Sequence, residues 1–303
     1  MTQRRTSAPT TPNRGIRWSA AVLAATALLV AACSGSTGSA APSAAASDAP
    51  AAAVQDLAIT GTDYAFAAPA SIPAGLTKVT LTNSGAEEHQ SQVAKLADGK
   101  TIADLTAALA TDESAGIAML ELAGGPTGVQ PGTARSTTSN LAPGAYVFLC
   151  FVPAADGVPH LAKGMIAPLE VTEPAVEAEV PAGDSAMTLQ DFAFVGLDTL
   201  SAGPHTVTVT NAGPQPHEAT IVKLADGVAA TDLLAMFTST EAPPAGPPPF
   251  TTAGGVAGVA VGSTITMDVD LEPGNYAFLC FVPDPASGAP HAALGMIGPL
   301  TVE

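Results

Sequence analysis

Apolar and polar residues alternate along two segments in different halves of the chain. They are residues 78–83 (KVTLTN) and 206–211 (TVTVTN), and each leads into a turn-favouring Asn-x-Gly. This alternation is typical of strands with one buried face. Residues 146–150 (YVFLC) and 276–280 (YAFLC) follow Pro-Gly pairs and are almost entirely apolar. These runs predict buried strands whose tyrosines belong to the core.

Two further patterns predict short helices. Thr101 and Asp104 have the spacing of a capping box, which predicts a helix over residues 102–110. Thr231 precedes a second apolar set and predicts the start of another helix. That set comprises Leu233, Leu234, Met236 and Phe237.

The remaining connections are rich in proline and glycine. Those at 124–132 and 242–255 predict loops. The whole chain has 29 Gly and 27 Pro with only 12% charged residues, a composition that excludes a coiled coil and disfavours a helical bundle. The pattern therefore predicts an all-β protein built of small sandwiches, each with a short helical insertion.

From residue 55 onward the chain repeats itself once. The segment LAPGAYVFLCFVP (141–153) returns at 271–283 as LEPGNYAFLCFVP, and VAKLADG (93–99) returns at 221–227 as IVKLADG. Two copies are too few for a solenoid and predict tandem domains. We expect the domains at 55–172 and 184–303, with an acidic, proline-containing linker at 173–183.

The N-terminal segment has the features of a secretory signal. Four arginines precede an apolar run at 18–32 that is short for a membrane span. The run ends in Val-Ala-Ala-Cys, which resembles the lipobox of bacterial lipoproteins. That resemblance implies a signal peptide at 1–32, a lipidated Cys33, a flexible tether at 33–54 and attachment to the extracytoplasmic face of a bacterial cell membrane. The alternative is an ordinary signal peptide with a chance cysteine.

The net charge restricts the partners. The formal charge is −17, but the four arginines of the signal segment account for four of the ten basic residues. The remaining six, set against 27 acidic residues, give −21. Such a surface repels phosphate backbones, so no nucleic-acid partner is expected. A basic partner or a cation is favoured.

The few histidines and cysteines recur in the same order in both copies. The chain has five His and three Cys. Each copy contains a His, then a Cys far along the same copy, then a second His and a Met. The matched pairs are His89 with His217, Cys150 with Cys280, His160 with His291, and Met165 with Met296.

This ligand set suits copper. A thiolate and two imidazoles with a weak thioether serve both Cu(I) and Cu(II). Taken singly, each residue has a structural alternative, because buried cysteines often act as small apolar groups and histidines often serve as hydrogen-bond partners. Retention of the whole set in both copies favours a metal. A disulfide between Cys150 and Cys280 is a less favoured alternative.

Both repeats also resemble the cupredoxins through the motif G-x-Y-x-F-x-C…P-H-x3-G-M. The resemblance implies Greek-key β-sandwiches with a type 1 copper site in each. It assigns one copper to His89, Cys150, His160 and Met165, and a second to His217, Cys280, His291 and Met296. The long segment between Cys150 and His160 is more similar to the type 1 site of copper nitrite reductases.

Two departures from the family pattern concern the first histidine. Many cupredoxins have Asn directly after it, whereas Gln90 and Glu218 stand there in this chain. Glu87 and Glu88 precede His89 and are expected to raise its pKa or to favour a more tetragonal copper site.

These features predict a membrane-anchored electron-transfer protein with a redox partner protein. The alternatives are a copper carrier or buffer without electron transfer, and a metal-free cupredoxin-fold interaction module. An enzyme is not expected, because the chain has no His-x-His pair for a catalytic copper and only His205 lies outside the matched set.

Overall fold

The computed structural model describes residues 53–175, 178–239 and 247–303. The expected signal peptide, Cys33 and nearly all of the tether lie outside these residues and stay predictions. Part of the expected linker is described and lies between the last strand of the first copy and the first strand of the second. Within the described ranges, no helix has both the length and the hydropathy needed to span a bilayer.

The elements follow the same order in both copies. The first copy contains β1 (Gln55–Thr62), β2 (Ala65–Ala67), β3 (Ser71–Pro73), β4 (Gly75–Asn83), β5 (Gln92–Leu96), α1 (Ile102–Leu109), α2 (Glu113–Ile117), β6 (Leu120–Leu122), β7 (Ala134–Leu141), β8 (Gly144–Leu149) and β9 (Ile166–Thr172). The second contains β10 (Ser185–Gln190), β11 (Ala193–Val195), β12 (Thr199–Leu200), β13 (Gly203–Asn211), β14 (His217–Leu224), α3 (Ala230–Thr238), β15 (Phe250–Val259), β16 (Thr264–Leu271), β17 (Gly274–Leu279) and β18 (Ile297–Val302).

Each copy is a sandwich of two sheets. Strands β3-β9-β8-β5-β6 form one five-stranded sheet and β12-β18-β17-β14-β15 form its counterpart. Their partner layers belong to one continuous eight-stranded sheet, β11-β10-β13-β16-β7-β4-β1-β2. The all-β class with tandem sandwiches is therefore confirmed.

Burial explains the two sequence patterns. Strand β4 turns alternate side chains toward the core between the layers, where Val79 and Leu81 are buried. Strand β8 is buried on both faces, because Phe148 enters that core while Val147 and Leu149 meet the helical segment outside the sheet. The run of β8 is thus apolar throughout because both of its faces pack against apolar residues.

The helices confirm part of the prediction and correct the rest. Thr101 and Asp104 form the expected capping box of α1. Helix α3 begins at Ala230, so Thr231 lies inside it, because the Asp232 carboxylate accepts a hydrogen bond from the Ala229 N–H and fixes an earlier start. Helix α2 was not predicted, since it is too short for a periodic pattern.

The prediction of a loop at 242–255 is wrong at the C-terminal end of that range. Residues 240–246 lie outside the described part of the chain, but strand β15 already begins at Phe250. Gly254 and Gly255 have φ of 121° and 128° and accompany register irregularities in the pairing of β14 with β15. Glycines that indicated a loop therefore lie in an irregular strand. The loop at 124–132 holds only isolated bridges, as expected.

The two copies pair edge to edge within one compact unit. Strands β7 and β16 are antiparallel neighbours, with Thr137 opposite Met267. Outside the named strands, Pro126 bridges to Val256. The partners of each pair occupy the same place in the repeat, in the register that matches 141–153 with 271–283. The Lys78 to Asp268 ion pair, at 2.7 Å, adds a contact that the repeat does not duplicate.

Adjacent leucines of α3 provide a test of this packing. Leu233 is fully buried against the sheet, whereas Leu234 is 37% exposed. We expect Leu233→Ala to lower the free energy of unfolding by about 2 to 5 kcal/mol. Leu234→Ala, the matched control, should cost less than about 1 kcal/mol. Urea denaturation of both variants gives the comparison, and equal losses would contradict the packing described for α3.

Candidate metal centres

Each cysteine lies directly after a buried strand. Cys150 follows the last residue of β8 and Cys280 the last residue of β17, and both are fully buried free thiols. The Cys150 carbonyl accepts a hydrogen bond from the Leu161 N–H at 2.8 Å, and the Val152 carbonyl accepts one from the His160 N–H at 2.9 Å. The loop after the cysteine is therefore folded back onto it. The disulfide alternative is not observed.

The second histidine opens a short 3-10 helix that returns the chain to the cysteine. In the first copy it spans His160–Lys163 and ends at Gly164, whose φ of 106° is a left-handed conformation that favours glycine. The Met165 N–H then donates to the His160 carbonyl at 3.0 Å, and the Met165 carbonyl accepts from the Cys150 N–H at 3.3 Å. His291–Leu294 and Gly295 repeat this arrangement.

The first histidine is held by the asparagine that ends β4. The Asn83 amide donates to the carbonyls of Glu87 and Val129 at 2.7 and 2.8 Å, and its oxygen accepts from the Gly85 N–H. His89 and Val129 exchange backbone hydrogen bonds. Asn211 makes the same set of bonds in the second copy. Sequence reasoning identified these asparagines only as turn residues.

These elements bring the cysteine and both histidines of each copy together. In the first copy the Nδ1 atoms of His89 and His160 are 3.1 Å apart, and the Cys150 Sγ is 3.5 Å from the His160 Nδ1. All three donor atoms lie within 4.8 Å of one another. The second copy repeats this closely. There the two Nδ1 atoms are 3.0 Å apart, and the Cys280 Sγ is 3.4 Å from His291 and 3.9 Å from His217.

The outer ring nitrogens face oxygen atoms. The His217 Nε2 is 2.6 Å from an Asp191 carboxylate oxygen, and the His291 Nε2 is 3.2 Å from the Gln215 amide oxygen. In the first copy Glu87 lies 2.7 Å from the His160 Nε2, and Asp63 lies 3.3 Å from the His89 Nε2.

An oxygen acceptor at Nε2 selects the tautomer that carries its proton there. In the second copy both outer nitrogens have such an acceptor, so the two Nδ1 lone pairs face one another across 3.0 Å and a cation is the group that satisfies both. In the first copy the two Nδ1 atoms are 3.1 Å apart, but only His160 has such an acceptor, because the His89 Nε2 makes no hydrogen bond.

The thiol completes a donor set that fits a soft transition metal. The Gln90 N–H and Glu218 N–H each lie 3.4 Å from a cysteine Sγ and orient it. Burial lowers the pKa of His89 and of His217, and lowers that of His291 to about 4. It raises the pKa of the Cys150 thiol to about 11 and also raises that of Cys280. The imidazoles of His89, His217 and His291 are thus held in the neutral form, and a metal would displace the thiol protons.

The methionines are buried at the same pole. Met165 and Met296 are fully buried, and Met296 belongs to the same apolar cluster as Cys280. A Cβ added to Gly61 would lie 3.3 Å from the His89 ring and 3.5 Å from the Met165 methyl group. Met165 therefore lies on the His89 side of the first site.

An aromatic residue covers the second histidine in each copy. The Tyr64 ring packs edge-on against His160, with centroids 5.0 Å apart, and Phe192 packs against His291 at 4.9 Å. All four histidines are fully buried. Asp63-Tyr64 and Asp191-Phe192 are another matched pair of the repeat. They are separated by the same number of residues as His89 and His217, and this offset could have identified them in the sequence.

The glycine of the Asn-x-Gly turn leaves room for the histidine and its carboxylate. A Cβ on Gly85 would lie 2.3 Å from an Asp63 carboxylate oxygen and 2.7 Å from the His89 Nε2. Gly213 is equally restricted by His217 and Asp191. The glycine of this turn thus leaves space for the donor group, in addition to following the end of the strand.

The expectation that the pKa of His89 is raised is wrong in its net direction, although Glu87 does act to raise it. Burial dominates and lowers that pKa, and the next cause is the neighbouring His160. Glu87 instead contacts His160, while Glu88 accepts hydrogen bonds from Gln130 and Thr252. His205, outside the matched set, contacts Ser201 and Asp184.

Glu218, directly after His217, links the two loops that carry His217 and Cys280. Its carboxylate accepts a hydrogen bond from the Phe281 N–H at 2.7 Å. The side chain is almost fully buried, and this burial raises the pKa of Glu218 to about 7. Gln90, its counterpart, accepts from the Thr127 hydroxyl instead.

The raised pKa of Glu218 predicts a pH dependence of folding. A carboxyl group that holds its proton more tightly in the folded state stabilises the protein below its unfolded pKa of 4.5, and this contribution is lost as pH rises to about 7. In metal-free protein the loss relative to Glu218→Gln should reach about 3 kcal/mol. Urea unfolding at several pH values between 4 and 8 measures it, and parallel curves for the two proteins would contradict it.

No protein-family model matches the sequence, and a search of curated proteins finds no match. Solved structures do match. An auracyanin from the photosynthetic bacterium Roseiflexus castenholzii is 25% identical over 39% of this chain and 94% of that chain, with a TM-score of 0.27. A multicopper oxidase is 14% identical over 82% and 89%, with a TM-score of 0.25. A copper-containing nitrite reductase from Thermus scotoductus is 13% identical over 82% and 61%, with a TM-score of 0.23.

The paired sheets and the repeated donor sets give the fold and the kind of site. Each copy closes a β-sandwich around its own core and holds one thiol between two imidazoles at one pole. The chain therefore has a cupredoxin-like fold in two copies, and its two His/Cys/His groups resemble type 1 copper sites.

Proposed function

We propose that the protein binds one copper ion in each copy and transfers single electrons through these sites. His89, Cys150 and His160 would hold one ion with Met165, and His217, Cys280 and His291 the other with Met296. Copper bound by such donors cycles between Cu(I) and Cu(II). The observation that carries the proposal is the close group of two Nδ1 atoms and one thiol, at the same place in both copies.

The chain's own residues favour electron transfer over copper exchange. All six His and Cys side chains are fully buried, and backbone hydrogen bonds fix the loops that carry them. A rigid donor set keeps the rearrangement between oxidation states small. Burial also slows exchange of the ion with solvent or with a delivery partner. A copper carrier or buffer would be better served by exposed donors.

The proposed function is that of an electron carrier and not of an enzyme. A catalytic copper would need further histidines, but four of the five in the sequence are already assigned and His205 lies apart with Ser201 and Asp184. We also propose attachment to the outer face of a bacterial cell membrane through Cys33. The strongly acidic chain would then receive or donate electrons at a basic face of a redox partner protein.

Titration with Cu(II) tests the copper proposal directly. We expect an intense thiolate-to-copper absorption band and narrow hyperfine splitting in electron paramagnetic resonance, saturating at two equivalents. Cys150→Ser and Cys280→Ser should each remove about half of the band, and the double variant all of it. Cys33→Ser is the matched control and should leave the band unchanged.

Two outcomes would replace this function by its alternatives. Tight binding without the band would favour the carrier or buffer. Absence of copper binding in the unaltered chain would leave a metal-free interaction module. Loss of the band with ascorbate and its return on reoxidation would support reversible electron transfer.

Membrane attachment is tested by fractionation of cells that express the full chain. We expect the unaltered protein in the membrane fraction and Cys33→Ser in the soluble fraction, because the lipid-bearing thiol is removed. Cys280→Ser, which keeps Cys33, is the control. Equal distribution of all three proteins would contradict lipidation at Cys33.

A further inference from the structure

The two sites differ in charge at a matched position that contacts a histidine ring nitrogen. Glu87 and Gln215 hold the same place in the repeat, since a single residue separates each of them from the first histidine of its copy. Glu87 lies 2.7 Å from the Nε2 of the second histidine in its copy, His160. Gln215 lies 3.2 Å from the corresponding nitrogen of His291. One copy thus presents a carboxylate to this ring and the other a neutral amide.

Other contacts fix the orientation of the amide. The Gln215 nitrogen donates to an Asp191 oxygen at 3.1 Å and to an Asp284 oxygen at 3.2 Å. Its oxygen is therefore the atom that faces His291. The opposite orientation would place an amide oxygen against two carboxylates.

The first histidine faces a carboxylate in both copies, although His217 is hydrogen-bonded to Asp191 at 2.6 Å whereas the His89 Nε2 lies 3.3 Å from Asp63 and makes no hydrogen bond. Asp284 and Glu218 of the second copy stand where the first has Ala154 and Gln90, but neither bonds to a ring nitrogen; Asp284 contacts the Gln215 amide and Glu218 the Phe281 N–H. The change from a carboxylate to an amide at a ring nitrogen occurs at the second histidine. Because His160 is fully buried, water screens its interaction with Glu87 only in part.

A carboxylate behind a metal-bound imidazole makes that ring a stronger donor. The added negative charge stabilises a doubly charged ion more than a singly charged one. Such a site retains Cu(II) more strongly relative to Cu(I), and its reduction potential is lower. A neutral amide lowers the reduction potential less than a carboxylate does.

Resting on the proposed copper function, we propose that position 87/215 sets the two sites at different reduction potentials, with the first copy the lower. A one-electron donor protein supplies the electron, and no bond or proton changes hands in the redistribution between sites. At equilibrium the electron resides on the second copy. The chain thereby holds two copper centres with different reduction potentials.

Single-site proteins allow each potential to be measured alone. Cys280→Ser leaves only the first site and Cys150→Ser only the second, and spectroelectrochemical titration of the thiolate band gives each value. We expect a lower potential for the first site. In these backgrounds Glu87→Gln should raise the potential of the first site, and Gln215→Glu should lower that of the second.

Chelator competition gives an independent readout. The ratio of Cu(II) to Cu(I) affinity should fall about tenfold in Glu87→Gln and rise about tenfold in Gln215→Glu. Glu170→Gln is the matched control, since it removes an exposed carboxylate of β9 from a residue that pairs with Ser71 and Ala145. It should change neither quantity.

The outcomes separate this proposal from the function on which it rests. Two results in proteins that keep the thiolate band would overturn the proposed difference in potential without contradicting electron transfer. One is equal reduction potentials for the two sites, and the other is a potential that changes in neither Glu87→Gln nor Gln215→Glu. Absence of the band in the unaltered chain would overturn both the difference in potential and electron transfer. Gln215→Glu keeps the test decisive if Glu87→Gln folds poorly, because the unaltered second site supplies its reference.

Discussion

Two imidazoles whose Nδ1 atoms lie 3.0 to 3.1 Å apart, with a thiol beside them, form the constraint around which each copy is organised. In the second copy neither Nδ1 carries a proton for the other to accept, so the arrangement is unfavourable without a cation. The fold maintains the close approach through the asparagine that holds the first histidine loop and the turn that returns the second histidine to the cysteine. Both features exist in both copies, so the constraint has been retained twice.

The sandwich supplies rigidity from both sides of the site. Strand β8 is buried on its two faces and ends at Cys150, which places the thiol at the edge of two apolar clusters. A thiol at that position shifts little unless the core itself rearranges. The side-chain oxygens behind the imidazoles complete the site on its outer side. Packing thus fixes the sulfur, and hydrogen bonding fixes the nitrogens.

The repeat allowed most of the architecture to be predicted from the sequence, together with the six His and Cys side chains that the structure groups. Metal binding by these residues and by the two methionines stays a prediction. Alternation in β4 and β13 and the apolar runs of β8 and β17 are local signals, and the structure places strands there. The partners of the ring nitrogens could not be read in the same way. Asp63 and Asp191 reach the site from a turn between paired strands, and only the three-dimensional fold brings them near. The pKa of His89 was mispredicted because sequence proximity of two glutamates says nothing about burial.

The symmetry of the contact between the copies bears on the history of the chain. Thr137 meets Met267 and Pro126 meets Val256, so equivalent positions lie opposite each other as they do across a two-fold axis. An interface of this kind is isologous, the form that a homodimer of a single-copy ancestor adopts. Gene duplication and fusion would have converted that association into an intramolecular one, independent of protein concentration. Each half was then free to diverge at single positions while its neighbour remained in place.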